Sequence, residues 1–239
     1  MDRKKFLSHI SEEFNVELET IIERTLDMGK YVATQVYDSL RVLREGDVEK
    51  AKNVIARDAE VNALDISISE ACTEILAIRQ PTASDLRLVV TVNSIIGNLE
   101  RIGDEAKKIA WLVINNDEGC RRVEHPVTPV VMDLGENILV SLHDVLSAFE
   151  HMELEKAIAV IRADRDINDK YEALIRQLVL TMMENSRLIP CSLNMIWTAR
   201  SLERIGDHIK NIGEAIIYLV KGKDIRHKPI EELDNTVFG

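Results

Sequence analysis

Apolar residues in the first part of the chain fall at Phe14, Leu18, Ile21, Met28, Val32, Val36 and Leu40 or Leu43. Steps of three, four and seven place them on one face of a helix, predicted from about Lys4 to Arg44. Gly46 then offers a C-terminal cap and Asp47 an N-cap for a second helix. That helix, patterned by Val48, Ala51, Ile55, Val61, Leu64, Ile68 and Ile75, runs to about Arg79. Pro81 stands where a third begins. Its stripe is Leu88, Val92, Ile95, Leu99, Ile102, Ala106 and Ile109, ending near Asn115 and Asn116. The polar stretch from Asp117 to Pro126 reads as a linker.

The second half repeats the first. A shift of 106 residues lays Asp27-Met28-Gly29 on Asp133-Leu134-Gly135, and Asp58-Ala-Glu-Val-Asn62 on Asp164-Arg-Asp-Ile-Asn168. A shift of 103 lays Leu99-Glu-Arg-Ile-Gly-Asp104 on Leu202-Glu-Arg-Ile-Gly-Asp207, so the second copy lacks three residues between its second and third helices. Six consecutive identities at equivalent places mark an internal duplication. The predicted fold is therefore all-α: two tandem, pseudo-symmetric three-helix bundles with six long helices, units 1–117 and 118–239.

Composition agrees with that picture. Aromatics make up only 4% of the 239 residues, leaving Leu, Ile, Val, Ala and Met to fill the core, and five prolines are few for a sandwich or barrel. The formal charge of −11 disfavours general nucleic-acid binding, which needs the opposite sign. Charged residues follow the N-terminus where a signal peptide would be apolar, and no stretch approaches the ~18 apolar residues of a membrane span. Cys72, Cys120 and Cys191 are unclustered and odd in number, which reads as thiols in a reducing cytoplasm.

In each copy two helices carry oxygen-bearing pairs four residues apart: Asp58 with Asn62 and Glu100 with Asp104, then Asp164 with Asn168 and Glu203 with Asp207. Four residues is about one turn, so both members of a pair project from one face. Relative to the stripe of Leu99, Ile102 and Ala106, Glu100 and Asp104 lie at its edge. Two such edges would frame three carboxylates and an amide oxygen, donors that suit Mg²⁺ or Mn²⁺ and that also hold iron. Ordinary surface pairing is the plain alternative, with Lys108 one turn beyond Asp104 and Glu105 one turn beyond Arg101. Retention in both copies favours metal. Gly103 and Gly206, mid-helix, mark close helix approach or room for a ligand against the backbone; Gly29 and Gly135 serve close packing.

The histidines argue against a redox or hydrolytic metal enzyme. None lies three residues after a Glu, as the di-iron bundles require, and no His-Glu-x-x-His is present. His208 reads as a surface histidine whose counterpart is Glu105. No phosphate-cradling loop and no nucleophile arrangement stands out, so no catalytic residue is assigned.

The duplicated Leu-Glu-Arg-Ile-Gly-Asp, the run Arg79-Gln-Pro-Thr-Ala-Ser-Asp-Leu-Arg87 and Asp27-Met-Gly29 together resemble the PhoU family of bacterial phosphate-specific transport system accessory proteins. The resemblance extends from about His9 to Lys223. It implies a cytoplasmic, non-enzymatic negative regulator of the phosphate-starvation response that commonly forms a homodimer. It also implies that the partners are the ATPase subunit of a phosphate ABC transporter and a sensor histidine kinase, with the membrane reached only through them. Divalent or iron cations (Mg, Mn or Fe, in some members multinuclear) would then sit at Asp58, Asn62, Glu100 and Asp104, and at Asp164, Asn168, Glu203 and Asp207. Asn62 and Asn168 stand where some members have Asp, and Asp85-Leu-Arg87 faces Leu188-Ile-Pro190 in the second copy, so the two sites are expected to be unequal. The rival readings are a carboxylate-bridged metal enzyme and a metal-free helical scaffold.

Overall fold

A computed structural model describes residues 12–116, 120, 125–226, 228–229 and 233. Six long α-helices lie among them: α1 Glu12–Glu45, α2 Val48–Arg79, α3 Ala83–Asn115, α4 Thr128–His151, α5 Leu154–Glu184 and α6 Ile189–Lys221. The expected start of the first helix before residue 12, most of the expected linker, and the unit boundary at 117/118 lie outside the described residues.

Most predicted stripe positions are buried, with Phe14 of α1 and Val48, Ile55 and Leu64 of α2 half-buried. Leu18, Ile21, Met28, Val32, Val36 and Leu40 of α1 are buried, as are all seven predicted positions of α3 from Leu88 to Ile109. Between α1 and α2 the chain turns where expected. Gly46 takes a left-handed φ of 66°, and the Asp47 side chain accepts a hydrogen bond from the Lys50 backbone N–H at 3.0 Å. The third helix begins later than predicted. Pro81 lies in the connection, Gln80 closes α2 in the left-handed region, and Thr82 precedes α3. In the second copy the missing residues are replaced by a 3-10 turn, Ser186–Leu188, whose start is capped by Asn185.

Within each set of three the helices pack on one another, and α3 packs on α6 while α1 packs on α4. One large apolar core runs through both sets, and a smaller cluster of Val42, Ala51, Val54, Ala110 and Val113 lies in the first. The α1–α4 contact is reciprocal. A Cβ on Gly29 would collide with the side chain of Leu146, and one on Gly135 would lie 2.6 Å from that of Leu40. Gly29 and Gly135 are equivalent under the shift of 106 residues, and so are Leu40 and Leu146. Each unit therefore offers the other a glycine notch and a leucine, a pseudo-twofold interface that fixes the third helix of each unit beside its twin.

Along that α3–α6 seam, Asn98 Oδ1 meets His208 Nδ1 at 3.1 Å and accepts from Asn211 at 3.3 Å. His208 is thus half-buried between the units, not a surface residue, and burial followed by the Arg101 charge pushes its pKa down. Cys120 and Cys191 form a disulfide across 71 residues, which corrects the expectation of three thiols; Cys72 is free and buried. Among the described residues no helix is long and apolar enough to cross a membrane.

Candidate functional site

The close approach that glycine was expected to mark does occur. A Cβ on Gly103 would stand 3.1 Å from Gln35 Oε1 and 3.4 Å from Val61 Cγ1, so α3 lies tightly against α1 and α2. One on Gly206 would stand 3.2 Å from Ile167 Cγ2 and 3.8 Å from Asp164 Oδ1. Bare backbone at these points lets the acidic edge of each third helix face the acidic edge of its second helix.

In the first unit Asp58 is buried on α2, with the Asn62 amide donating to its Oδ2 at 3.4 Å. Glu100 and Asp104 come from α3. The charges of Asp104, Asp65 and Asp58 all act on Glu100 and, after its own burial, raise its pKa above the usual carboxylate range. Asp58 and Asp104 do not face an open site. Lys107 donates to Asp58 Oδ2 at 2.6 Å and to Asp104 Oδ1 at 2.8 Å. Asp104 is thus paired with Lys107, three residues on, rather than with Lys108, which turns to Glu105 at 2.8 Å.

The second unit repeats the arrangement with changes. Asp164 is buried, Asn168 donates to it at 3.3 Å, and Lys210 donates to it at 3.1 Å. Lys210 is the counterpart of Lys107, the third residue after the motif aspartate in each copy. Glu203 has its pKa raised first by burial and then by Asp207, and it also binds Arg200 at 3.0 Å. Asp207 is raised by loss of surrounding water and by Asp164, although part of its surface meets solvent.

All eight residues singled out in the sequence therefore gather into two groups of four, one per unit. Sequence reasoning missed Lys107 and Lys210, and also Asp65, whose counterpart is Tyr171, and Arg200, whose counterpart is Gly97. Four carboxylates face one ammonium in the first unit. In the second, three carboxylates face an ammonium and a guanidinium. The motif arginines, Arg101 and Arg204, act on Glu100 and Glu203 alike and leave this difference intact.

The donor chemistry is that of a hard cation, and one oxygen of each buried aspartate, Asp58 Oδ1 and Asp164 Oδ1, has no hydrogen-bond partner. The geometry does not fit one as it stands. Among the described residues no three His, Cys, Asp or Glu side chains are gathered closely enough to hold a metal ion.

The sequence matches the PhoU domain family twice, over residues 25–113 and 131–216. It is 43% identical to the phosphate-specific transport system accessory protein PhoU of Escherichia coli strain K12, covering 100% of this chain and 98% of that protein. The PhoU homologue of Pseudomonas aeruginosa is 40% identical over 99% of this chain and 98% of its own length. The crystal structure of PhoU from Pseudomonas aeruginosa superposes with a TM-score of 0.83 at 40% identity, covering 88% of this chain and 100% of that one. The phosphate transport system regulatory protein PhoU of Streptococcus pneumoniae superposes at 0.81 with 30% identity, covering 88% and 98%.

Proposed function

Because the chain belongs to the PhoU family, we propose that it is an accessory protein of phosphate transport that works as a regulatory adaptor without catalysis of its own. It contacts the ATPase subunit of a phosphate ABC transporter and a sensor histidine kinase, and holds the kinase in its non-signalling state when phosphate is plentiful. It acts in the cytoplasm as a homodimer and meets the membrane only through these partners. The observation that carries the reading is the end-to-end match to relatives named as accessory proteins of phosphate-specific transport.

Exposed apolar side chains fit an adaptor, which needs surface for protein partners. Ile189, Leu193 and Trp197 recur every four residues along the start of α6, and Leu86 and Val90 hold the equivalent places on α3. The test is complementation of a strain that lacks its own accessory protein and carries a phosphate-starvation reporter. The chain should silence the reporter in phosphate-rich medium and co-purify with the transporter ATPase. A reporter that stays on while the protein is present and folded would remove the regulatory reading.

A further inference from the structure

Each acidic centre holds a cation already, and it belongs to the chain. A lysine pairing three residues along a helix is ordinarily a solvated surface contact. Lys108 pairs with Glu105 along one turn of α3 in this way, its own side chain half-exposed although Glu105 is buried. Lys107 differs, because it leaves α3 to reach Asp58 on α2, a residue only 7% exposed. Lys210 likewise reaches from α6 to Asp164 on α5, 4% exposed. The residues just before these lysines, Glu105-Ala106 and His208-Ile209, have diverged between the copies, whereas the lysines have not.

A divalent ion needs several oxygens at ~2.0–2.6 Å. An ammonium bonded to two carboxylates at 2.6 and 2.8 Å takes the same oxygens and repels a second cation. The partnerless Asp58 Oδ1 and Asp164 Oδ1 show that each buried carboxylate has an acceptor left over once its lysine is seated. We propose that Lys107 and Lys210 are the resident cations of the two acidic centres, standing where a divalent metal ion would be bound and keeping it out. In the second unit Arg200 adds to the exclusion. The proposal concerns ion occupancy alone and stands or falls apart from the adaptor reading.

The test uses the full chain, stripped with chelator and titrated with Mn²⁺, the free ion being read by its electron paramagnetic resonance signal. The wild type should leave Mn²⁺ free. Lys107→Met should bind one Mn²⁺ per chain at least about tenfold more tightly than the wild type, since a positive charge is gone from beside the site. Lys210→Met should gain less, and Lys107→Arg should behave as the wild type. Wild type binding as tightly as Lys107→Met, or Lys107→Met binding no more tightly than the wild type, overturns the proposal. Should Lys107→Met lose its helical circular dichroism, Lys210→Met in the other unit supplies the same comparison: a gain supports the proposal and no gain overturns it.

Discussion

Replacing Lys107 with methionine keeps a long aliphatic side chain and deletes two charge-assisted hydrogen bonds, to Asp58 at 2.6 Å and Asp104 at 2.8 Å. What remains is a buried Asp58 with, among the described residues, the Asn62 amide at 3.4 Å as its other donor. Breaking a fully buried ion pair costs about 3–5 kcal/mol. The Lys107 side chain is 34% exposed, so water replaces part of the loss and about 2–3 kcal/mol is expected. Lys210 makes one hydrogen bond among those described, to Asp164 at 3.1 Å, and its removal should cost about 1–2 kcal/mol. A gap of about 1 kcal/mol corresponds to about 2–4 °C in Tm for a chain of this size. Thermal unfolding followed at 222 nm should therefore rank wild type above Lys210→Met and Lys210→Met above Lys107→Met. Adding Asp58→Asn to Lys107→Met should recover most of the loss, because a neutral amide needs no counter-ion. Equal costs for the two lysines, or no recovery in the double variant, would refute the assignment of Lys107 as the partner of a buried charge.

Further outcomes follow from the repeat and from the buried carboxyls. Glu153 stands at the helix start equivalent to Asp47, with φ/ψ of −86°/104° against −84°/101°, yet makes no side-chain cap; Glu153→Asp should add about 0.5–1 kcal/mol, seen as a higher urea midpoint with an unchanged slope. Burial and neighbouring carboxylates raise the pKa of Glu203, so the unfolded chain ionises first as pH rises, and stability falls from the ordinary carboxylate range up through the raised folded value. Glu203→Gln lacks that penalty, and its amide oxygen can still accept from Arg200. It should be more stable than the wild type by about 1 kcal/mol at neutral pH, with the gap closing by about pH 4 in a series of melts. Denatured oxidised protein should titrate as one thiol, Cys72, and reduced protein as three. Cys191→Ser should cost about 2–4 kcal/mol against the oxidised protein and almost nothing against the reduced one, the state a cytoplasmic setting would hold.

The helices were legible because helix burial is written into the spacing of Leu, Ile and Val: three could be placed from stripes and the other three from the repeat. The duplication was legible because Leu-Glu-Arg-Ile-Gly-Asp is too long to recur by accident. What sequence periodicity does not carry is which of two adjacent cations a carboxylate chooses. Lys108 sits at the favourable four-residue spacing from Asp104, yet that position turns towards Glu105, and Lys107 is the one facing α2. The signal was present: lysine is the third residue after the motif aspartate in both copies. Asp65 gave no such signal, since Tyr171 replaces it in the second copy. The Cys120–Cys191 pair spans 71 residues, with one partner outside the repeat, and only the folded chain brings the two together.

Between the copies, the packing residues and the charged residues have followed different rules. Gly29 with Leu146 and Gly135 with Leu40 keep the same contact in both directions, because changing one notch would tilt α1 against α4 and disturb the whole shared core. The acidic centres lie at the rim of that core, where a substitution alters field without altering shape. A Cβ at Gly97 would meet nothing within 4 Å, so an arginine at the matching place, Arg200, was sterically free to appear. Asp65 against Tyr171 is a second change of the same kind. Their sum leaves the first centre with three more carboxylates than cations and the second with only one more. At equal distance and dielectric, electrostatic attraction for an external positive charge scales with that excess, so with its lysine seated the first centre is the one that draws a basic partner surface more strongly, while the second stays close to internal balance. A duplicated fold has thus kept its symmetry where packing demands it and given it up where charge does the work.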